Sequence, residues 1–264
     1  MNRDDPKVVI LRALYGEEAV KPDPWNSSRI QVNMDGRDLS GLIFKGYDLS
    51  RAYITDANLV GATFTDCNLD GALLRGSDLT GAVFVNCSLR GASLEGSNLT
   101  NTNLSDADLW RADLRGATLA GTNLQGAYMS QAYLRDVDLS TADLTGADLS
   151  HASASGAKLS GAKVGGISLG KATLYKADLS GLDLTGTCME DAELIKASLV
   201  GTNLSGANLN RCMLVEADLT GAVIEGASFV GANLRHATVY EDMVAYIAIN
   251  GGTAYYDHSQ EGGA

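Results

Sequence analysis

An apolar side chain occupies every fifth position of the chain from residue 39 to residue 239, without exception. Leu fills most of these positions, and Phe, Ile, Met, Val or Ala fills the others. In an α-helix, residues five apart point about 140° away from each other, so no apolar stripe would form. In a straight strand, an odd spacing would send alternate leucines to opposite faces. Only a chain that bends once in every five residues returns each leucine to one interior, so the pattern predicts a solenoid.

The other positions of the five-residue unit also repeat. With the apolar position called i, position i−2 is usually Ala and position i−1 is often Asp or Asn, as in ADLTG at residues 142–146 and ANLNR at residues 207–211. These units resemble the pentapeptide-repeat family, whose repeat is commonly written A(D/N)LXX. The resemblance implies an all-β fold, a right-handed quadrilateral β-helix (a β-solenoid) with four units per coil and the i and i−2 side chains inside. Under that reading the repeats form about ten coils with short helical caps at both ends.

The remaining positions suit the corners of such a coil. Gly is frequent at i+2, as at Gly61, Gly81, Gly121 and Gly161, where we expect an unusual φ angle. Asp or Asn at i−1 is expected to accept hydrogen bonds from nearby backbone N–H groups.

The two ends of a solenoid need caps, because each end coil would otherwise expose its apolar interior. We expect residues 1–33 to form an N-terminal cap, with a helix over residues 6–19 followed by an extended connector over residues 21–25 in which Trp25 is buried against the cap. The repeats are assigned to residues 34–239, and a C-terminal cap with a tail to residues 240–264. In that cap, residues 241–249 are predicted to form a helix that closes the last coil.

The C-terminal helix also raises the question of self-association. Its apolar residues are more numerous than a short plug requires, and in several proteins that resemble this one C-terminal segments dimerise. A monomer and a C-terminal homodimer both remain open. The candidate residues for the cap or the dimer contact are Met243, Val244, Tyr246 and Ile247.

The charge and the N-terminal segment limit the classes of function. The formal net charge is −12 over 264 residues, which argues against direct nucleic-acid binding because neutralising phosphates requires a basic surface. The N-terminal apolar run, residues 8–11, is too short for a signal peptide or a membrane span. We therefore expect a cytoplasmic protein that does not enter the membrane.

The four cysteines show no CxxC pair and no zinc-ligand spacing. Cys67 and Cys87 both fall at i−2, twenty residues apart, so they should stack in adjacent coils with side-chain directions that fit a disulfide poorly. We expect both to be free, buried thiols. Cys212 should also point inward, whereas Cys188 falls at the outward position i−1.

No catalytic, cofactor-binding or metal-binding residues are predicted. His151 and His236 fall at outward corner positions and His258 near the C-terminus, and none has the spacing of a metal site. The chain has no nucleophile elbow, dinucleotide-binding GxGxxG motif or Walker loop. We therefore expect a protein that is not an enzyme, and whose outward side chains serve interaction.

One group of outward residues has the composition of a protein-binding hot spot, since Trp, Tyr and Arg are enriched there. The alternative is that these side chains merely cover the solenoid with cation–π contacts and salt bridges. The interaction hypothesis predicts an unidentified protein partner. Its candidate residues are Arg90, Trp110, Arg111, Arg115, Tyr128, Tyr133 and Arg135.

A second group of outward residues is acidic. Pentapeptide-repeat proteins of the quinolone-resistance type resemble B-DNA in width and charge and engage DNA gyrase or topoisomerase IV in place of DNA. That resemblance implies a DNA-mimicking alternative for this chain, although Lys158 and Lys163 interrupt the two acidic columns. The candidate residues are Asp78, Asp138, Asp143, Asp178, Asp183 and Asp218.

The repeat is weakest between residues 153 and 170. Ala154 and Val164 replace larger side chains at position i, and residues 165 and 166 are both Gly. The larger Ile167 at i−2 partly compensates for the lost volume, and we expect a shallow waist or bend in this segment.

Overall fold

A computed structural model describes residues 20–23 and 26–249. The chain divides into two compact units, Met1–Tyr128 and Met129–Ala264. The helix predicted over residues 6–19 and the residue Trp25 lie outside the described residues, as does His258.

The described part of the first unit begins with a β-hairpin. Strands β1 (Val20–Asp23) and β2 (Asn26–Val32) pair antiparallel, with Val20 opposite Val32. The connector predicted over residues 21–25 is extended at residues 21–23, as expected, but the sequence did not predict that these residues pair with a second strand. Their partners lie several residues further along the chain, and the five-residue pattern does not extend to them.

After the hairpin, the backbone of each unit pairs with itself at an interval of twenty residues. Strands β3 (Ile43–Lys45), β4 (Thr63–Thr65) and β5 (Val83–Val85) form a parallel sheet in the order β3–β4–β5. Elsewhere the pairing consists of single parallel bridges at the i−1 positions, such as Asp108 with Tyr128 and Ser153 with Thr173. With a turn after every fifth residue, twenty residues make one four-sided coil.

The interior consists of the i and i−2 side chains, as predicted. The leucines at position i are buried throughout, and Ala fills most of the i−2 positions beside them. Phe44, Phe64 and Phe84 stack directly on one another at 4.7 Å between ring centroids. Six i−2 positions carry a buried hydroxyl instead of Ala, among them Thr187 and Thr202.

The corners lie at positions i+1 and i+2. From Gly36 to His236, every i+2 residue except Thr141 has a positive φ, between 52° and 94°. Glycine adopts this conformation at little cost, but Arg111 and His236 adopt it too, so the turn is imposed by the stacked coils as well as by local preference. Thr141 is β-branched, which makes a left-handed conformation especially costly, and Gly161, one coil later, has the most distorted corner at 94°.

Asp and Asn at i−1 stabilise these corners. Their Oδ1 atom accepts a hydrogen bond from the N–H of the residue two positions later, as Asp38 does from Ser40 at 3.1 Å and Asn123 from Gln125 at 3.0 Å. This is the local bond expected from the sequence, and it explains why either Asp or Asn is accepted at i−1.

The hydrogen-bond ladder is interrupted in the second unit within the segment predicted to be weak. The N–H groups of Leu144 and Gly146 donate to the following coil at 2.7 and 2.8 Å. Among the residues that the structure describes, the equivalent N–H groups of Val164 and Gly166 have no such bond. Val164 remains buried, so the weakness lies in the backbone pairing between these two coils.

Helix α1 (Glu241–Ile249) has the bounds predicted from the sequence and follows the last coil. Met243 and Ile247 are buried, while Val244 and Tyr246 are half-buried, so two of the four predicted cap residues form the core of the cap. The hydroxyls of Tyr240 and Tyr246 donate to the carbonyls of Ala222 and Ala227 at 3.3 and 3.1 Å. In earlier coils, backbone N–H groups of the next coil bind the equivalent carbonyls, so the two tyrosines replace donors that the chain no longer provides.

Candidate protein-binding surfaces

Trp110 lies at a corner of the first unit, at position i+1, where its indole is half-buried. The guanidinium carbon of Arg90, which precedes it by one coil, lies 4.6 Å from the centre of the ring. The guanidinium carbon of Arg111 lies 4.2 Å from the same ring. Both distances are within the range of cation–π attraction.

Asp108 fixes the geometry of this cluster. Its Oδ1 accepts a hydrogen bond from the backbone N–H of Trp110 at 3.1 Å, and its Oδ2 accepts one from Nη1 of Arg90 at 2.8 Å. One carboxylate therefore stabilises the corner that carries the indole and the guanidinium that packs on it.

Arg115 and Tyr128 complete the part of this surface that belongs to the first unit. Arg115 binds Asp113 through two parallel contacts, Nε to Oδ1 at 2.9 Å and Nη2 to Oδ2 at 2.6 Å. The hydrogen bond from Arg115 lowers the pKa of Asp113, although burial opposes the shift. The backbone of Tyr128 forms a parallel β-bridge with Asp108 in the adjacent coil, and Tyr128 is 60% exposed. We call Arg90, Trp110, Arg111, Arg115 and Tyr128 the Arg–Trp surface.

The other two residues of the predicted patch belong to the second unit. Tyr133 is exposed, and Nε of Arg135 lies 3.4 Å from Oδ2 of the adjacent Asp136. Five of the seven predicted residues thus lie in the first unit, and Arg90, Trp110 and Arg111 are in contact with one another through the indole ring.

The candidate acidic residues are also corner residues. Each accepts the N–H of the residue two positions later, as Asp138 does from Ser140 at 3.0 Å. This bond uses Oδ1. Lys158 lies 3.9 Å from Asp138, and Lys163 lies 3.1 Å from Asp143, so two of the carboxylates are paired with lysines.

Hydrogen bonds from side-chain hydroxyls lower the pKa values of several of these carboxylates. The Ser140 hydroxyl lowers the pKa of Asp138, and the Thr185 hydroxyl lowers that of Asp183. Burial would raise the pKa of Asp178, but bonds from Ser180 and Ser160 outweigh it and the pKa falls. We call Asp78, Asp138, Asp143, Asp178, Asp183 and Asp218 the acidic residues, and each combines an acidic side chain with a hydrogen bond that stabilises its corner.

The thiols are arranged as the sequence predicts. Cys67, Cys87 and Cys212 are free and buried, and Cys188 is free and exposed. Burial raises the pKa of Cys212 to about 12. In the stacked pair, the hydrogen bond with Cys67 and burial both raise the pKa of Cys87.

Two further findings concern metal binding and membrane-spanning helices. In the segments described, no three His, Cys, Asp or Glu side chains come together in a way that would hold a metal ion. No helix in the described part of the chain is long and apolar enough to cross a lipid bilayer.

Sequence reasoning missed one feature, a cleft of about 500 Å³ beside helix α1 in the second unit. The cleft is bordered by residues 221–225 of the last coil and by Tyr240, Asp242, Met243 and Tyr246. The end of the five-residue pattern indicates where the last coil stops, but the packing of the helix against it depends on contacts the pattern does not encode.

Comparison with known proteins gives the following matches. The pentapeptide repeats family model matches the chain in eight copies, which together cover residues 33–239 without a gap. No curated protein matches the chain.

Several solved structures are similar. HetL, a pentapeptide repeat protein involved in heterocyst differentiation regulation in Nostoc sp. strain PCC 7120, is 28% identical, with 90% of this chain and 94% of that chain covered and a TM-score of 0.28. A trypsin-treated variant of QnrB1, a plasmid-mediated fluoroquinolone resistance protein, is 19% identical, with 83% and 95% covered and a TM-score of 0.39. Rfr23 from Cyanothece 51142 is 20% identical, with 55% and 90% covered and a TM-score of 0.25.

The family assignment depends on the repeat itself, which the family model matches throughout residues 33–239. Proteins built from this repeat fold as right-handed quadrilateral β-helices and are generally structural or interaction modules. The chain belongs to the pentapeptide-repeat family.

Proposed function

We propose that this protein is a non-enzymatic interaction module that binds a protein partner through the Arg–Trp surface. The observation that carries the proposal is the indole of Trp110 with two guanidinium groups, Arg90 and Arg111, within 4.6 Å of its ring centre. Trp, Tyr and Arg are the residues that most often dominate binding energy in protein interfaces.

The surface is also arranged in advance of binding. Asp108 holds Arg90 and the Trp110 backbone, and Asp113 holds Arg115 through two contacts. A partner would therefore lose little side-chain entropy in ordering this surface, which favours affinity. Tyr128 adds exposed aromatic area beside it.

The test is affinity capture with the double variant Trp110→Ala, Arg111→Ala. The matched control is Tyr175→Ala, Lys176→Ala, which removes a second aromatic and cation pair from the same corner positions, where Nζ of Lys176 lies 5.3 Å from the Tyr175 ring centre. We expect the first variant to lose the partner recovered with the wild type and the control to retain it. Circular dichroism checks that both variants are folded. If both folded variants capture the partner at the wild-type level, the Arg–Trp surface is not the binding site.

A second candidate function is DNA mimicry directed at a type II topoisomerase. Its support is the net charge of −12 together with acidic residues whose carboxylates are held in place by hydrogen bonds from the corner N–H groups. Such a surface would compete with DNA for a basic binding groove.

A gyrase supercoiling assay with the added protein separates the two candidates. The variant Asp178→Asn, Asp183→Asn removes two charges and retains an acceptor at each corner, because Asn serves the same purpose at Asn203 and Asn208. Its control is Asp48→Asn, Asp148→Asn, an equal charge change at two other corner residues. The DNA-mimicry hypothesis would be rejected if the wild-type protein neither inhibits gyrase nor protects it from a quinolone.

A further inference from the structure

The last coil of the second unit has an open strand edge beside the cleft. One coil earlier, the N–H groups of Leu204 and Gly206 donate to the carbonyls of Val223 and Glu225, both at 2.7 Å. The equivalent N–H groups of Ile224 and Gly226 have no acceptor among the described residues. Ile224 is nevertheless buried, and unpaired N–H groups at buried residues are rare.

One backbone carbonyl at the same edge, that of Ala222, accepts only a long hydrogen bond. One coil earlier, the carbonyl of Thr202 receives the N–H of Val223 at 2.9 Å. The equivalent carbonyl, that of Ala222, receives the Tyr240 hydroxyl at 3.3 Å. A side-chain hydroxyl at this distance is more easily displaced than a backbone strand, because it is held by one long hydrogen bond.

The cleft has the size and charge for one class of occupant. Its volume of about 500 Å³ extends along residues 221–225, and Val223 within it is 49% exposed. The exposed carboxylates of Glu225 and Asp242 lie at its border. Apolar side-chain space with carboxylates beside it complements a segment that alternates apolar and basic residues.

We propose that this cleft binds an extended, basic segment of a partner protein, which adds to the last coil as one further parallel β-strand. Carbonyl groups of the segment accept the N–H groups of Ile224 and Gly226, and an N–H group of the segment replaces the Tyr240 hydroxyl at Ala222. The bonds made by Leu204, Gly206 and Thr202 show the pairing that the segment reproduces. Strand addition to an exposed edge is a general mode of peptide recognition, in which backbone bonds give affinity and side-chain pockets give specificity. The proposal uses no residue of the Arg–Trp surface, so either can fail without the other.

The first experiment measures binding of a fluorescent peptide, Lys-Val-Thr-Val-Lys, to the full-length protein. A peptide with both lysines replaced by glutamates tests whether binding requires positive charge. A peptide with the central Thr replaced by Pro tests whether binding requires pairing as a β-strand. We expect Val223→Lys to weaken binding about tenfold or more by filling and recharging the cleft. Val230→Lys is the matched control, since Val230 is 54% exposed in the same coil and does not border the cleft.

The second experiment follows amide hydrogen exchange. We expect the peptide to slow exchange at Ile224 and Gly226 and to leave Leu204, whose amide is already paired, unchanged. The proposal is overturned if the peptide does not bind, if the glutamate or proline peptide binds equally well, or if Val223→Lys and Val230→Lys behave alike. It is also overturned if both amides are protected without peptide while light scattering shows a doubled mass, because a second copy would then occupy the edge.

Discussion

Thr187 and Thr202 occupy equivalent interior positions in the second unit, yet only one of them satisfies its hydroxyl. The Thr202 hydroxyl donates to the carbonyl of Leu179 at 2.9 Å. The Thr187 hydroxyl is also buried, but it has no hydrogen-bond partner among the residues that the structure describes. The same residue type therefore stabilises one coil and destabilises another.

Substituting Val at each position should have opposite effects. Thr187→Val removes an unsatisfied buried hydroxyl at constant shape, and we expect the free energy of unfolding to rise by about 1 kcal/mol. Thr202→Val removes the hydroxyl that donates to the Leu179 carbonyl, which then keeps only the long bond from the Leu182 N–H at 3.4 Å. This substitution should lower the free energy of unfolding by about 1 kcal/mol. Urea denaturation of both variants checks the pair, and a loss of stability in Thr187→Val would contradict the assignment of an unpaired hydroxyl.

The stacked phenylalanines predict a difference between two substitutions at one site. Phe64 is fully buried between Phe44 and Phe84, so Phe64→Ala should lower the free energy of unfolding by about 3–5 kcal/mol through lost contacts and a cavity. Phe64→Leu restores the residue most common at position i and should cost only about 1 kcal/mol. Thermal and urea denaturation measure both changes. Equal losses would mean that ring stacking, and not volume, determines stability there.

The thiols should differ sharply in reactivity. Cys188 is exposed, and the other three cysteines are buried, with Cys212 further protected by its raised pKa of about 12. We therefore expect one thiol to react promptly with a chromogenic disulfide reagent in the native protein and all four to react in denaturant. The variant Cys188→Ser should abolish the prompt reaction. A prompt reaction that persists in this variant would show that the interior opens readily.

Acid stability should depend on the Asp113–Arg115 pair. Because the folded-state pKa of Asp113 is lowered, its contribution is present above the unfolded-state value of about 3.9 and is lost as the pH falls through the folded-state value. Asp113→Asn keeps an acceptor for the Arg115 N–H but should reduce stability at pH 7 slightly, by less than about 1 kcal/mol. It should also flatten the loss of stability below about pH 4.

Denaturation midpoints measured between pH 2 and 7 test this prediction. Arg115→Gln serves as the reciprocal variant, since it removes the same ion pair from the other side. Both variants should lose less stability than the wild type as the pH falls, and Asp113→Asn should change most, because Arg115→Gln leaves a carboxylate that still accepts the N–H of residue 115. A profile identical to that of the wild type in either variant would contradict the role of the pair.

The local features of the coil were accessible from the sequence because each is encoded within a few residues. The five-residue spacing predicted which side chains are buried, the Asp and Asn residues at i−1 predicted the corner bonds, and the bounds of helix α1 followed from its apolar spacing and the Asn-Gly-Gly that follows it. The weak segment was visible at Val164 and the adjacent glycines, although its form, a gap in backbone pairing, was not. The patch residues were identified by type, and the twenty-residue coil places Arg90 and Trp110 in one column. The contact of Arg111 with the same ring was not predicted.

The sequence by itself determined that the backbone turns after every fifth residue and which side chains fill the interior, because a strict repeat gives each residue the same local environment coil after coil. Only the tertiary structure decided the pairing of β1 with β2, the role of Asp108 at the Arg–Trp surface, and the tyrosine hydroxyls that close the last coil. Each of these depends on groups that meet across coils or at the ends of the repeat, where the local environment is no longer the same and the periodic pattern carries no information about partners.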